Sequence, residues 1–120
     1  MRRHNFKELR IWQLGMEIVD DIYDITSTFP KEEQFGLTLQ MRKSAVSIPS
    51  NISEGCGRGT DPQLVFFLDI SNGSACELET QSIVALRRGY DSAENLNNVL
   101  KKIEEEQRMI RGFRERHQPY

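Results

Sequence analysis

The sequence predicts an all-α fold, an antiparallel up-down-up-down bundle of four helices, on three observations. Four segments carry apolar residues at spacings of three and four, the period of a helix with one buried face. No segment alternates apolar and polar residues as a half-buried strand does. The connections between the four segments are short, which favours antiparallel neighbours. A chain of 120 residues suits one domain, residues 1–120, with short basic terminal segments around a single core.

The first helix is marked by Ile11, Ile18, Ile22, Ile25 and Phe29, with Trp12, Val19 and Tyr23 alongside. Asn5 and Glu8 have capping-box spacing ahead of it. "FPKEEQFG" ends the pattern, because Pro30 disfavours helical geometry at Phe29. The second helix starts near residues 36–38 and runs through Leu37, Met41, Ala45, Ile48, Ile52 and Cys56, closing in "GCGRG". The third opens with Asp61 as N-cap and Pro62 at the first helical position. Its stripe is Leu64, Phe67, Leu68, Ser71, Ala75, Leu78, Ser82 and Ala85, and "RRGYDS" closes it with cationic side chains and Gly89. The fourth has Asp91 and Glu94 in capping-box spacing, then Leu96, Val99, Leu100, Ile103, Ile110 and Phe113.

The stretch "MRKSAVSIPSNISEGCGRG", residues 41–59, keeps helical apolar spacing across Pro49 and then dissolves into glycines. A phosphate loop fits poorly. Thr60 and Asp61 follow Gly59 where the Walker pattern needs lysine and a hydroxyl, and a helix rather than a strand precedes the glycines. Catalysis by Ser47, Ser50 or Ser53 with Glu54 fits poorly too, because nucleophilic serine needs a base in reach and both histidines, His4 and His117, lie near the chain ends. A helix kinked at Pro49 accounts for more residues. The ring leaves the Ala45 carbonyl without its amide partner, and the nearby serines can return hydrogen bonds to exposed carbonyls. Asn51 and Glu54 share a face of that helix; they either satisfy the backbone around the proline or meet a partner or a neighbouring subunit.

If the turn between the second and third helices centres near residue 59 or 60, residues level with one another have numbers summing to about 119. Ile48 then lies level with Ser71, Ala45 with Ser74, and Arg42 with Glu77, beside a seam of small residues at 73–76. An Arg42–Glu77 ion pair that fixes register is the expectation, with two unrelated solvated charges as the alternative. The same arithmetic separates Cys56 from Cys76, so no disulfide is expected. The third helix is apolar nearly all round: Leu64, Val65, Phe66, Phe67, Leu68 and Ile70. Phe66 and Ile70 point away from any bundle core, which predicts self-association through the second and third helices.

Charge is unevenly spread. Residues 1–10 and 108–120 each carry a net +3, leaving −8 between them for a total of −2. No apolar run reaches the roughly 20 residues of a membrane span. The N-terminus lacks a signal-peptide core, and the two cysteines have no metal or redox spacing, so a cytoplasmic protein without cofactor or metal is expected.

The segments "FKELRIWQLGMEIVDDIYDIT", "FPKEEQFGLTLQMRKSAVSIPSNISEG" and "GSACELETQ…GY" resemble the four-helix bundle proteins encoded in intervening sequences of bacterial large-subunit ribosomal RNA genes. The middle motif is the most specific: Gly36, Leu37, Gln40, Arg42, Ala45, Val46, Ile48, Pro49, Asn51, Ile52, Glu54 and Gly55 all fit. Lys43 and Ser44 stand where a second arginine and an alanine are usual, and Ser53 replaces a common alanine. The resemblance implies a ring-like homo-oligomer, a pentamer. A related bundle is the accessory protein of diversity-generating retroelements, which binds reverse transcriptase and nucleic acid. The resemblance carries no catalytic residue.

Two functions follow as expectations, neither enzymatic. In an up-down-up-down bundle the start of the first helix, the second turn and the end of the fourth helix share one pole. Arg2, Arg3, Lys7, Arg10, Arg58, Arg108, Arg111, Arg114 and Arg116 should gather there and bind RNA or DNA. Basic residues at a helix C-terminus also complement its dipole, with no ligand involved. The alternative is a protein-binding adaptor or scaffold, its acidic Asp20, Asp21, Asp24, Glu32 and Glu33 meeting a basic partner.

Overall fold

The computed structural model describes residues 4–117. Its four helices are α1 (Arg10–Thr26), α2 (Leu37–Cys56), α3 (Asp61–Arg88) and α4 (Ala93–His117), with 3-10 turns at Phe6–Glu8 and Lys31–Glu33 and no strand among the described residues. The body measures 48 × 22 × 22 Å, and α3 alone, at about 1.5 Å per residue, covers most of its length. Each helix packs on two others: α1 on α2 and α4, α3 on α2 and α4.

Cross-helix contacts fix the directions. Ser47 bonds Ser74 and the Ile48 carbonyl accepts from Ser71, so numbers rise on α2 as they fall on α3. Arg114 meets Asp69 while Gln107 meets Glu79, which sets α4 antiparallel to α3. Glu106 lies by Gly15 and Lys102 bonds Asp21, which does the same for α1 and α4. The Ser71–Ile48 bond, at 2.8 Å, matches the register expected of the second turn.

The buried faces follow the apolar spacing. Ile11, Leu14, Ile18, Ile22 and Ile25 of α1 pack with Met41, Ala45, Ile48 and Ile52 of α2, Leu64, Leu68, Ala75, Leu78 and Ala85 of α3, and Leu96, Val99, Ile103, Ile110 and Phe113 of α4. At roughly 1.5–3 kcal/mol for each fully buried large aliphatic side chain, this seam is the main stabilising contribution. Helix α2 is helical on both sides of Pro49, which is itself buried.

Three caps differ from expectation. Asn5 accepts from the Lys7 amide and caps the first 3-10 turn, whereas α1 begins one turn later behind Leu9, which offers no side-chain cap. Thr60, not Asp61, caps α3, and Pro62 is its second residue. Ser92 accepts from the Asn95 amide at the start of α4, and Asp91 binds the Asn95 side chain instead. At α3 and α4 a neighbouring hydroxyl reaches the free amides instead. At the other end of α3, Gly89 takes the left-handed conformation, φ 67°, that a side chain would strain.

The Arg42–Glu77 pair does not form. Arg42 donates through Nε to Thr26 Oγ1 at 2.9 Å and lies 4.6 Å over the Tyr23 ring, both on α1. Glu77 is exposed on the outer face of α3. The register set the two at one height, but Arg42 stands on the side of α2 that faces α1. Cys56 is buried and Cys76 exposed, and no disulfide joins them.

Candidate nucleic-acid interface

The chain ends and the α2–α3 turn meet at one pole. His4 and His117, 113 positions apart, approach to 2.9 Å. The basic residues around them are in three conditions. Arg10, Arg58 and Arg114 are paired with carboxylates: Arg10 with Glu17 at 3.2 Å, Arg58 with Glu54 at 2.9 Å, Arg114 with both oxygens of Asp69. Lys7 and Arg116 lie over the rings of Phe6 and Phe113. Arg108 and Arg111 are exposed on α4, about 13 and 9 Å of helix short of His117, so Arg108 stands near mid-bundle rather than at the pole expected for it; among the described residues neither is in an ion pair. Arg2 and Arg3 lie outside the described residues. A phosphate arriving at this pole can use Arg111 directly, and one further along α4 can use Arg108; at the paired arginines it must compete with a carboxylate.

Asn51 donates to both the carbonyl and the hydroxyl of Ser47, at 2.8 and 2.9 Å, and Ser47 in turn bonds Ser74 of α3. It therefore anchors the backbone two residues before Pro49 to the neighbouring helix. Glu54 is half exposed and holds Arg58. Of the two residues, Asn51 serves the fold and Glu54 belongs to the pole.

On the flanks, Phe66 is 59% and Ile70 38% exposed on the outer face of α3. Between α1 and α2 an apolar groove of about 350 Å³ is lined by Phe6, Trp12, Met16, Val19, Val46 and Pro49. By the α2–α3 register, Ile70 is level with Pro49 and Phe66 with Ser53 at the groove's edge.

The opposite pole is built differently. Glu33 accepts from the Leu37 amide, capping α2, and from the Tyr90 hydroxyl, both at 3.0 Å. These hydrogen bonds hold its carboxyl below the usual range, the Leu37 amide contributing most. Phe29 packs on the Tyr90 ring at 5.3 Å. Beside them Asp21, Asp24, Asp91, Asn95, Asn98 and Lys102 border an open cleft of about 520 Å³. Lys102 donates to Asp21 at 2.8 Å, a bond that raises the lysine pKa.

One buried ionisable residue was missed from sequence. Glu106 is fully buried, its two carboxyl oxygens have no hydrogen-bond partner, and one stands 3.1 Å from where a Cβ on Gly15 would lie. Burial pushes its pKa up to about 8, opposed by Arg10 and reinforced by Glu105. In "KIEEEQ" it reads as one of three solvated acids. The signal was in the spacing: Val99, Ile103, Glu106, Ile110 and Phe113 recur at four, three, four and three, which sets Glu106 in the core stripe.

Among known proteins, a structure from Bacteroides thetaiotaomicron, a protein of unknown function from the S23 ribosomal protein family, shares the fold with a TM-score of 0.80. The match covers 87% of this chain and 97% of that one at 18% identity. No curated protein matches the sequence. The model of the 23S rRNA-intervening sequence proteins matches residues 7–112. That span holds all but the tips of the bundle, and the chain belongs to the 23S rRNA-intervening sequence protein family.

Proposed function

We propose that this protein is a non-enzymatic, cytoplasmic, oligomeric bundle that binds nucleic acid, RNA foremost, through the pole where its chain ends meet. The observation that carries this reading is the exposure of Arg108 and Arg111 along α4, leading to the pole that holds Lys7, Arg10, Arg58, Arg114 and Arg116, on an otherwise acidic body. Oligomerisation multiplies the pole. The α3 ridge of Phe66 and Ile70 and the α1–α2 groove lie at one height, so a ridge-in-groove contact between copies needs little rise. Such a head-to-tail contact closes into a ring when its rotation divides the circle. A pentamer is the ring that the resemblance implies. Binding then depends on phosphate neutralisation, and affinity falls steeply with salt.

The test is RNA affinity across salt concentrations for the wild type and for Arg108→Glu/Arg111→Glu. The reading expects the variant to bind more weakly on all RNA sequences and to lose about one in salt slope per arginine. Equal affinity and slope in the two proteins would overturn it. A second reading, a protein adaptor, draws on the acidic cleft around Asp21, Asp24 and Asp91, which suits a basic partner segment. A reverse transcriptase is the partner class that the resemblance implies. Binding of a basic protein lost on Asp24→Lys/Asp91→Lys, with RNA binding absent, would favour it.

A further inference from the structure

We infer that His4 and His117 form a site for a divalent transition-metal ion that fastens the two ends of the chain together. The inference goes beyond nucleic-acid binding and stands without it. The two Nε2 atoms are 2.9 Å apart, and the rings meet edge to face with centroids 5.0 Å apart. His117 Nδ1 lies 2.8 Å from the Phe113 carbonyl oxygen, which can only accept. The Nδ1 proton therefore donates there, and in the neutral ring the Nε2 lone pair faces His4. A backbone carbonyl on the remote nitrogen is the arrangement that orients histidine ligands in metal sites. Phe113 supports both rings, at 5.2 Å from His4 and 4.4 Å from His117.

Distance and chemistry then select the ion. Imidazole nitrogens stand about 2.05 Å from a bound first-row metal. Two of them at a right angle are about 2.9 Å apart, while a tetrahedral angle needs about 3.3 Å, by simple geometry from that bond length. The 2.9 Å of the hydrogen bond is also the spacing of adjacent ligands on square-planar or octahedral copper(II) or nickel(II), which bind nitrogen donors tightly; the rings need only tilt for their lone pairs to converge. Without metal, His4 donates its Nε2 proton to His117. On binding, that proton moves to Nδ1 of His4 and frees the Nε2 pair, so two neutral rings coordinate with no net proton loss. Among the described residues no group of three or more histidine, cysteine or carboxylate ligands forms, so the pair carries the site.

The test is calorimetric titration of copper(II) and of nickel(II) into untagged full-length protein, its His4→Ala and His117→Ala variants, and the double variant. One ion per chain is expected. Each single variant should lose at least about tenfold in affinity, because the second ligand no longer acts intramolecularly, and the double variant should bind weaker still. The copper(II) electron paramagnetic resonance spectrum should show two imidazole nitrogens in the wild type and one in each single variant. Far-ultraviolet circular dichroism checks that the variants stay folded. Wild-type affinity retained in either single variant, or a wild-type spectrum with fewer than two imidazole nitrogens, would overturn the site.

Discussion

The two poles of this bundle solve the problem of ending four helices in opposite ways. Where α1 ends, Glu33 caps α2 and binds Tyr90, and Phe29 covers the Tyr90 ring, so both connections are joined by one polar and one aromatic contact. Where the chain ends meet, long cations and carboxylates lie side by side. Arg10 and Arg58 are held by half-exposed carboxylates, while Arg111 and, further from the pole along α4, Arg108 are exposed. The first arrangement commits its polar groups to the fold, whereas the second leaves some of them for a ligand. A surface ion pair contributes about 0–1 kcal/mol, so exchanging carboxylate for phosphate at the basic pole costs little. Breaking the Glu33–Tyr90 contact would loosen two connections together.

The largest expected effect lies between the poles, at Glu106. Its pKa is about 8 when folded, against 4.5 for a free glutamate. The folded state thus holds its proton more tightly than the unfolded chain. Stability is fully present below pH 4.5, falls as pH rises toward 8, and levels off above that. Each tenfold difference in proton affinity between the two states is worth about 1.4 kcal/mol, so the loss is on the order of 5 kcal/mol. Urea unfolding at pH 5 and at pH 8.5 should reveal that decline in the wild type, and Glu106→Gln should remove most of it. A core truncation is the next in size: Ile48→Ala, at a fully buried position, should cost about 2–5 kcal/mol in the same assay.

Smaller effects separate the poles themselves. Tyr90→Phe removes one of the two hydrogen bonds on the Glu33 carboxyl and should lower the melting temperature by a few degrees at pH 7. Because the folded pKa of Glu33 is depressed, its contribution is present above the unfolded value and is lost as pH falls through the folded one. The gap between Tyr90→Phe and wild type should therefore shrink in acid. At the basic pole, Glu54→Gln removes a half-exposed partner of Arg58, and its stability should stay within about 0.5 kcal/mol of wild type. A melting temperature that moved more for Glu54→Gln than for Tyr90→Phe would reverse the contrast between the ends.

What the sequence revealed divides along the same line. Periodicity located four helices, and turn arithmetic put Ser71 opposite Ile48, because rise per residue is a local property that both helices share. The same arithmetic misled at Arg42. Height follows from counting, but the direction of a side chain around its helix depends on packing angles that counting does not contain. Arg42 turned to Tyr23 and Thr26. The asymmetry of charge was plain from composition, whereas the carboxylates that hold Arg10, Arg58 and Arg114 appear only once the helices are side by side. The bond from Tyr90 to Glu33 crosses 57 positions, and His4 lies 113 from His117. No local pattern announces partners so far apart.

The most direct measurement asks whether, and at which residues, a single-stranded RNA contacts the protein. Photo-cross-linking of a single-stranded RNA, read residue by residue through mass spectrometry, distinguishes the poles in one experiment. Cross-links concentrated at residues 4–10, 57–60 and 108–117, and diminished by Arg108→Glu/Arg111→Glu, are the predicted result. Cross-links concentrated at residues 27–36 and 89–98, around the acidic cleft, would contradict the account.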